Sequence, residues 1–380
     1  MILIRNRNRL TLRGLIGVRY ISTLSPSKSA IPPLNIAFFG SDSFSVQSLD
    51  RLYRYKLQHP ERISSIKVVT RTIKPTGRNL KAYVDLPIGD YCKKLEESLN
   101  SIPVLRADST EDILSILNSN TFSLAIAVSY GKLIPAKFLE SCEFGGLNVH
   151  PSLLPKYSGS SPIQYTLLND DRTAGCTVQT LHPTKFDQGN IILQSKEIPV
   201  SNKDNFESLQ IRLGAIGSDL LVQVIDEGLF MENCSPHLRS ENKYAFSLAP
   251  KIRPSSSEIK WSIKSSLQIK RMEDALGPLH SYKFVNLKRK KKVIQENQRV
   301  ILSDIEVIKC GYYPSISKPG QFCLEDSSNP RLIIKTVDGH IGVRKLKFQA
   351  CKEEVPEVFL KALAKRSGDT PHQFDATCFN

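Results

Sequence analysis

The sequence predicts an α/β fold: a Rossmann-like, doubly wound and mostly parallel sheet, then a linker, then a C-terminal OB-like β-barrel. Three observations carry that expectation. Short apolar runs alternate with amphipathic segments from Leu34 to His150. A polar stretch containing proline, residues 229–256, follows a long amphipathic one. After Leu276 the pattern changes to many short apolar runs separated by turn residues such as Asp338-Gly339.

Leu34 to Gly40 is a short apolar run closed by glycine, the pattern of a buried parallel strand. Ser41-Asp42-Ser43 then offers caps for a helix whose apolar positions are Val46, Leu49, Leu52 and Tyr53. Ile63 to Val69 reads as a second strand, and Asp108-Ser109 opens a helix from Thr110 to Leu117. Leu124 to Val128 and Gly146 to His150 are further strands, and strands alternating with helices define the doubly wound sheet. Cys176–Leu181 and Ile191–Ile198 are expected as an antiparallel addition. A long helix spans Phe206 to Glu227, with Leu209, Leu213, Ile216, Leu220, Leu221 and Val224 along one face. In the C-terminal part a helix over Ser265–Leu276 precedes six short strands. They are Ser281–Leu287, Val293–Gln295, Val300–Val307, Gly320–Leu324, Leu332–Thr336 and Ile341–Phe348. These readings divide the chain into a lead of residues 1–33, a domain of 34–228, a linker of 229–256 and a second domain of 257–380.

The net charge is +15, and Arg5, Arg7, Arg9, Arg13, Arg19 and Lys28 supply six of those charges before any acid occurs. Arginines interspersed with Ile2, Leu10, Leu12, Leu15, Ile16 and Val18 suit an amphipathic transit peptide, cleaved near Tyr20–Ser25 and leading to the mitochondrial matrix. The basic excess of the remainder favours a polyanionic partner. No apolar run is long enough to cross a membrane, so no membrane insertion is expected. Eight cysteines are spread from Cys92 to Cys378 without a C-x-x-C pair, so neither a metal site nor a disulfide framework is expected. A monomer is the expected state.

Chemistry concentrates around residue 150. Asn148 and His150 stand at the carboxyl end of a strand, two residues apart and therefore on one face. In open α/β sheets that end is where ligands bind. Asp187 follows in Phe186-Asp187-Gln188-Gly189. An amide, an imidazole and a carboxylate are the groups needed to move an acyl group from one nitrogen to another. A donor such as Asn148 stabilises the developing oxyanion, an effect worth ~3–4 kcal/mol per donor removed. His150 can give a proton to the leaving nitrogen, and Asp187 can orient the imidazole and help deprotonate the incoming amine. An isolated Asn-x-His is more often a buried, hydrogen-bonded histidine.

The wider block decides between those readings. Asn148-Val149-His150, Ser152-Leu153-Leu154-Pro155, Gly159, Pro162-Ile163-Gln164, Gly175-Cys176-Thr177 and Asp187-Gln188-Gly189 resemble, in order and spacing, the formyltransferases that use 10-formyltetrahydrofolate. The resemblance runs from Asn35 to Phe348. It implies the formyltransferase fold, catalytic roles for Asn148, His150 and Asp187, and 10-formyltetrahydrofolate as formyl donor, with no metal. It also implies a folate pocket lined by Val128, Ser129, Tyr130, Gly131, Ser152, Leu153, Leu154 and Pro155. Three positions depart from the family pattern: Ser158 stands where an arginine is usual, Lys185 where a glycine is common, and Asn190 where an acid follows Asp187-x-Gly.

Arg71 to Lys81 resembles the loop with which the tRNA-acting members of the family enter an acceptor arm, so Arg78 and Lys81 are expected against tRNA. Tyr244-Ala245 through Trp261 resembles the linker of the same members. The run Lys288-Arg289-Lys290-Lys291-Lys292 lies between two expected barrel strands and is assigned to tRNA phosphates. Arg344, Lys345 and Lys347 would extend that surface, Lys345 and Lys347 alternating outward while Leu346 and Phe348 point in. The expected acceptor is then initiator methionyl-tRNA. Two alternatives remain: a formyltransferase for a small amine, which needs no basic barrel, and an RNA-binding factor without catalysis, which needs none of Asn148, His150 and Asp187.

Overall fold

The computed structural model describes residues 32–76, 82–97, 101–231, 243–289 and 292–374. The expected transit peptide lies outside them. From the N-terminus the elements are β1 (Leu34–Gly40), α1 (Ser43–Gln58), β2 (Ile63–Thr70), β3 (Lys74–Thr76), β4 (Ala82–Val84), α2 (Pro87–Glu97), β5 (Val104–Arg106), α3 (Thr110–Ser115), β6 (Leu124–Val128), α4 (Ala136–Glu140) and β7 (Gly146–His150). Next come α5 (Pro162–Leu168), β8 (Thr173–Ala174), β9 (Thr177–Thr180), β10 (Ile191–Gln194), β11 (Ile198–Pro199) and α6 (Phe206–Asp226). The C-terminal part holds α7 (Ser266–Leu276), β12 (Leu279–Arg289), β13 (Lys292–Ile308), β14 (Phe322–Leu324), β15 (Leu332–Lys335), β16 (His340–Phe348) and α8 (Pro356–Ser367).

Seven strands form the main sheet in the order β10-β9-β7-β6-β1-β2-β5. The five from β7 to β5 are parallel; the sequence predicts four of them and leaves the three-residue β5 as loop, and β9 and β10 add antiparallel at one edge, as expected. Strand β1 is buried at nearly every position because helices cover both faces, which explains its unbroken apolar run. The chain builds outward from β1 through β2 to β5, then returns to β6 on the other side. This reversal opens a crevice beyond the carboxyl ends of β1 and β6. Asp42 caps α1 by accepting from Ser45 N, and Ser109 caps α3, matching the expected starts. Four helices the sequence reading leaves as loop are α2, α4, α5 and α8; α4 and α5 span five and seven residues, too few turns for a periodicity to register, and α2, α5 and α8 begin at a proline.

The C-terminal sheet is antiparallel in the order β12-β13-β16-β15-β14, an OB-like half-barrel closed over by α8. Two expected strands, Val293–Gln295 and Val300–Val307, are one continuous strand, β13. The residues between them, Glu296 to Arg299, are polar and exposed or half-buried, and the whole strand pairs with β12 from Leu279↔Leu302 to Arg289↔Lys292. Trp261, Phe322, Phe348, Phe359 and Phe374 fill its core.

The base of the β3–β4 hairpin is tied down by one ion pair. Arg106 donates Nη1 to Asp85 Oδ1 at 2.7 Å and Nη2 to Oδ2 at 2.5 Å, and Nη1 also reaches Arg71 O at 2.9 Å. Hydrogen bonding from Arg106 holds the Asp85 carboxyl below its ordinary value of 3.8. A depressed carboxyl contributes stability that is present above the unfolded value and lost as pH falls through the folded one. Asp85→Asn is therefore expected to melt at lower temperature than wild type at neutral pH, the difference shrinking below about pH 4 in a pH series of melting curves. In the barrel, Phe359→Ala should cost about 3–5 kcal/mol. Denaturant titration followed by fluorescence of Trp261, the only tryptophan, checks this, since that ring shares the same core and donates Nε1 to Ser281 Oγ at 2.7 Å.

Candidate active site

The crevice beyond β1, β6 and β7 is a cavity of about 560 Å³. One wall is the turn after β6, where Ser129, with φ of 50°, is followed by Tyr130 and Gly131. Asp42 closes the wall at the end of β1, and burial pushes its carboxyl above the ordinary range. Leu133, Ile134 and Leu139 supply apolar surface. The opposite wall is the excursion from Leu181 to Asp187 together with Gly159, Ser160, Pro162 and Pro250.

Asn148, His150 and Asp187 meet at the floor. The carboxylate of Asp187 is only 9% exposed, and every neighbour is a donor. Oδ1 receives Asn148 Nδ2 at 3.3 Å and Gln179 Nε2 at 3.3 Å, with His150 Nδ1 at 3.4 Å. Oδ2 receives the Gly159 backbone N–H at 2.7 Å. The other imidazole nitrogen, His150 Nε2, lies 3.0 Å from the carbonyl oxygen of Tyr157. Both ring nitrogens therefore face acceptors, an arrangement satisfied by a ring protonated on both.

Local structure explains each placement. Asn148 and His150 stand two residues apart at the end of β7, and both line the cavity. Gln179 lies directly opposite Asn148 because β9 pairs antiparallel to β7. The excursion that carries Asp187 is closed by Thr180 N to Asn190 O at 2.9 Å and Asn190 N to Thr180 Oγ1 at 2.8 Å. Gly189 passes so close to Thr180 that a Cβ there would stand 1.7 Å from the Thr180 carbonyl oxygen.

The loop that supplies Tyr157 O and Gly159 N is braced from outside the parallel sheet. Ser158 N donates to Ser247 O at 2.9 Å, Ala249 N to Ser158 O at 2.8 Å and Ser161 N to Ala249 O at 3.0 Å. Residues 247–250, expected as plain linker, thus run as a strand-like strap along the loop, and Pro250 lines the cavity. Gly159, at φ of 127°, fits beneath this strap because a Cβ would stand 2.5 Å from Ala249 O.

Of the residues expected to line a cofactor pocket, Ser129, Tyr130 and Gly131 do. Val128 is buried in β6, and Ser152, Leu153, Leu154 and Pro155 lie behind the cavity rather than on its surface. Leu154 N is bound to Thr177 Oγ1, and Leu153 packs on Gly175, so this loop supports the floor instead. Arg78, Lys81, Lys290 and Lys291 lie outside the described residues, as do the side chains of Arg289 and Lys292. Lys288 is exposed at the end of β12, and Lys345 and Lys347 alternate outward as expected. Arg344 instead pairs with Glu306 at 3.2 Å and adds little net charge to that surface. The reading of the sequence missed Gln179 and the strap, and named Gly159 only within the resemblance, without a role. The alternation of β9 beside β7 could have pointed to Gln179, whereas the other two depend on long-range contacts.

Residues 34–225 match the family described as Formyl transferase. The mitochondrial methionyl-tRNA formyltransferase of Saccharomyces cerevisiae is 31% identical over 96% of this chain and 98% of its own length. The putative methionyl-tRNA formyltransferase of Schizosaccharomyces pombe is 28% identical over 82% of this chain and 89% of its own, and the human mitochondrial protein is 27% identical over 83% and 74%. Among solved structures, HypX from Aquifex aeolicus in complex with tetrahydrofolic acid shares the fold, with a TM-score of 0.51 at 13% identity over 87% of this chain. This chain spans 48% of the HypX chain. With relatives of this kind covering it nearly end to end, the chain is mitochondrial and belongs to the formyl transferase family, among the methionyl-tRNA formyltransferases.

Proposed function

We propose that this chain transfers the formyl group of 10-formyltetrahydrofolate to the methionyl amino group of initiator tRNA, in the mitochondrial matrix, to start translation there. The observation that carries the reading is the convergence of Asn148, His150 and the Gly159 N–H on the Asp187 carboxylate at the floor of a cavity large enough for a folate. Residues 34–228 would be the catalytic unit, 229–256 the connection and 257–380 the tRNA-binding unit.

The residues divide the work by charge. Asn148 uses one amide hydrogen on Asp187 and keeps the second for the oxygen of the formyl group as charge develops on it. Asp187 takes a proton from the incoming ammonium. His150 is fixed through Nε2 by Tyr157, so its Nδ1–H, on the cavity side, is the proton available to the departing nitrogen. The cavity is apolar along Leu133, Ile134 and Leu139 and polar at its floor, which suits a flat heterocycle whose reacting nitrogen must reach the carboxylate. All these groups come from one chain, as a monomer requires.

For the tRNA, the outward face of the β12–β13 ribbon presents Tyr282, Phe284, Asn286 and Lys288 opposite Arg299, Asn297, Gln295 and Val293. Phe284 is 37% exposed between cations and amides, a setting that suits base stacking beside phosphate contacts. With Arg78 and the Lys288–Lys292 run, this face supports a nucleic-acid acceptor over a small amine.

The deciding experiment mixes the protein with methionyl-tRNA and 10-formyltetrahydrofolate and measures formylmethionine on the tRNA. Asp187→Ala or His150→Ala should lower turnover on the order of a hundredfold or more, with tRNA affinity by filter binding unchanged. Gly159→Ala, which must push the loop away from Ala249, should lower kcat/KM roughly tenfold to a hundredfold in a protein that still folds by circular dichroism. Charge reversal at Lys288 together with Arg78→Ala should weaken tRNA binding and reduce its log–log salt slope by about one for each phosphate no longer neutralised, with folate affinity untouched.

A further inference from the structure

We propose that Gln179 positions the acceptor amine, holding Asp187 through its Nε2 and taking an N–H of the amine on its Oε1. The inference deepens the functional reading above and rests on it.

Strand register sets Gln179 directly across from Asn148, so both side chains rise from one face of the sheet into the same cavity. Gln179 is 1% exposed. Its Nε2 stands 3.3 Å from Asp187 Oδ1, and a carboxylate can only accept, so the amide must present its nitrogen there. The reverse orientation would set two oxygens against each other. Oε1 is then left shielded from bulk water and has no hydrogen-bond partner in the protein. Buried polar atoms are almost always partnered. Among the described residues, it is the only such orphan belonging to a side chain that lines the cavity.

The other side-chain atoms turned toward Asp187 are donors: Asn148 Nδ2 and His150 Nδ1. They suit the formyl oxygen and the departing nitrogen. An acceptor in their midst suits the nucleophile. A primary amine, after losing its third proton to Asp187, has one N–H for Gln179 Oε1 and a lone pair directed at the formyl carbon. The bond from that carbon to the incoming nitrogen forms as its bond to the donor nitrogen breaks. The ammonium gives up two protons in all. Asp187 takes the first before attack, His150 gives its Nδ1 proton to the departing nitrogen, and the neutral imidazole left behind takes the second from the newly bonded nitrogen, leaving a neutral amide with no redox change. A hydroxyl in the same place has one hydrogen to share between Asp187 and Gln179, so the pair selects amines.

The test compares Gln179→Met, which keeps length and removes both hydrogen-bonding ends, with Gln179→Glu, which keeps an acceptor but sets a second carboxylate beside Asp187. The other charged or titratable groups around the cavity are His150, His182, Lys185, Asp42, Lys132 and Tyr130. Gln179→Met should lower kcat/KM for methionyl-tRNA roughly tenfold to a hundredfold, the loss of hydrogen bonds to charged partners. Gln179→Glu should move the acid limb of the kcat/KM profile to higher pH, because two adjoining carboxylates share a proton. Activity of Gln179→Met equal to wild type overturns the proposal. So does a loss of activity in both variants with the acid limb unmoved, which would reduce Gln179 to packing. If Gln179→Met does not fold, the near-isosteric Gln179→Glu decides alone through its pH profile. Wild-type protein inert on methionyl-tRNA would overturn the functional reading itself; active wild type beside indifferent variants would overturn only this inference.

Discussion

A carboxylate taken out of water must be met by donors, and Asp187 is the point at which that requirement organises the molecule. Desolvating an unpaired carboxylate costs several kcal/mol, so its position is tenable only while its partners hold. Those partners come from separate pieces of chain: Asn148 and His150 from β7, Gln179 from β9, and Gly159 from the loop that follows β7. Each piece is in turn fixed by backbone pairing rather than by flexible side chains, so the groups are held in place before substrate arrives.

The strap at 247–250 extends this dependence to the join between the two halves of the chain. Its backbone bonds hold the loop that delivers Tyr157 O and Gly159 N, and its own course continues into the segment leading to Trp261. Nearby, Arg271 of α7 pairs with Asp170 after α5, and Leu168 packs against both the sheet core and the barrel core. The C-terminal part therefore touches the chemistry through structure, by way of the loop, as well as through any surface it offers to RNA.

Much of the site was legible because its two-residue spacing on β7 is a local property. A strand end with Asn148 and His150 on one face follows from period-two geometry alone. The loop Ser152–Pro155 shows where such reading stops. Its resemblance to a pocket lining rests on sequence alone; in the structure Leu154 N is bound to Thr177 Oγ1, Leu153 packs on Gly175, and the cavity surface falls to Gly159, Ser160 and Pro250. Likewise the polar middle of β13 looked like a break between strands, because an antiparallel ribbon with one wet face needs no apolar residue on that side.

Local sequence was enough to set out four of the five parallel strands, the helices α1, α3, α6 and α7, and the barrel class of the second half, all of which follow from hydrophobic periodicity and caps that act within a few residues. The three groups beside the crevice were singled out by the resemblance of the wider block around them, not by their spacing alone. Three further features emerged only in the folded chain: that Gln179 shares the Asp187 carboxylate, that Gly159 must lack a side chain, and that a stretch of linker braces the catalytic loop. Those contacts join residues far apart in the chain, and their geometry depends on strand register and on the closeness with which backbones pass. No local pattern encodes either.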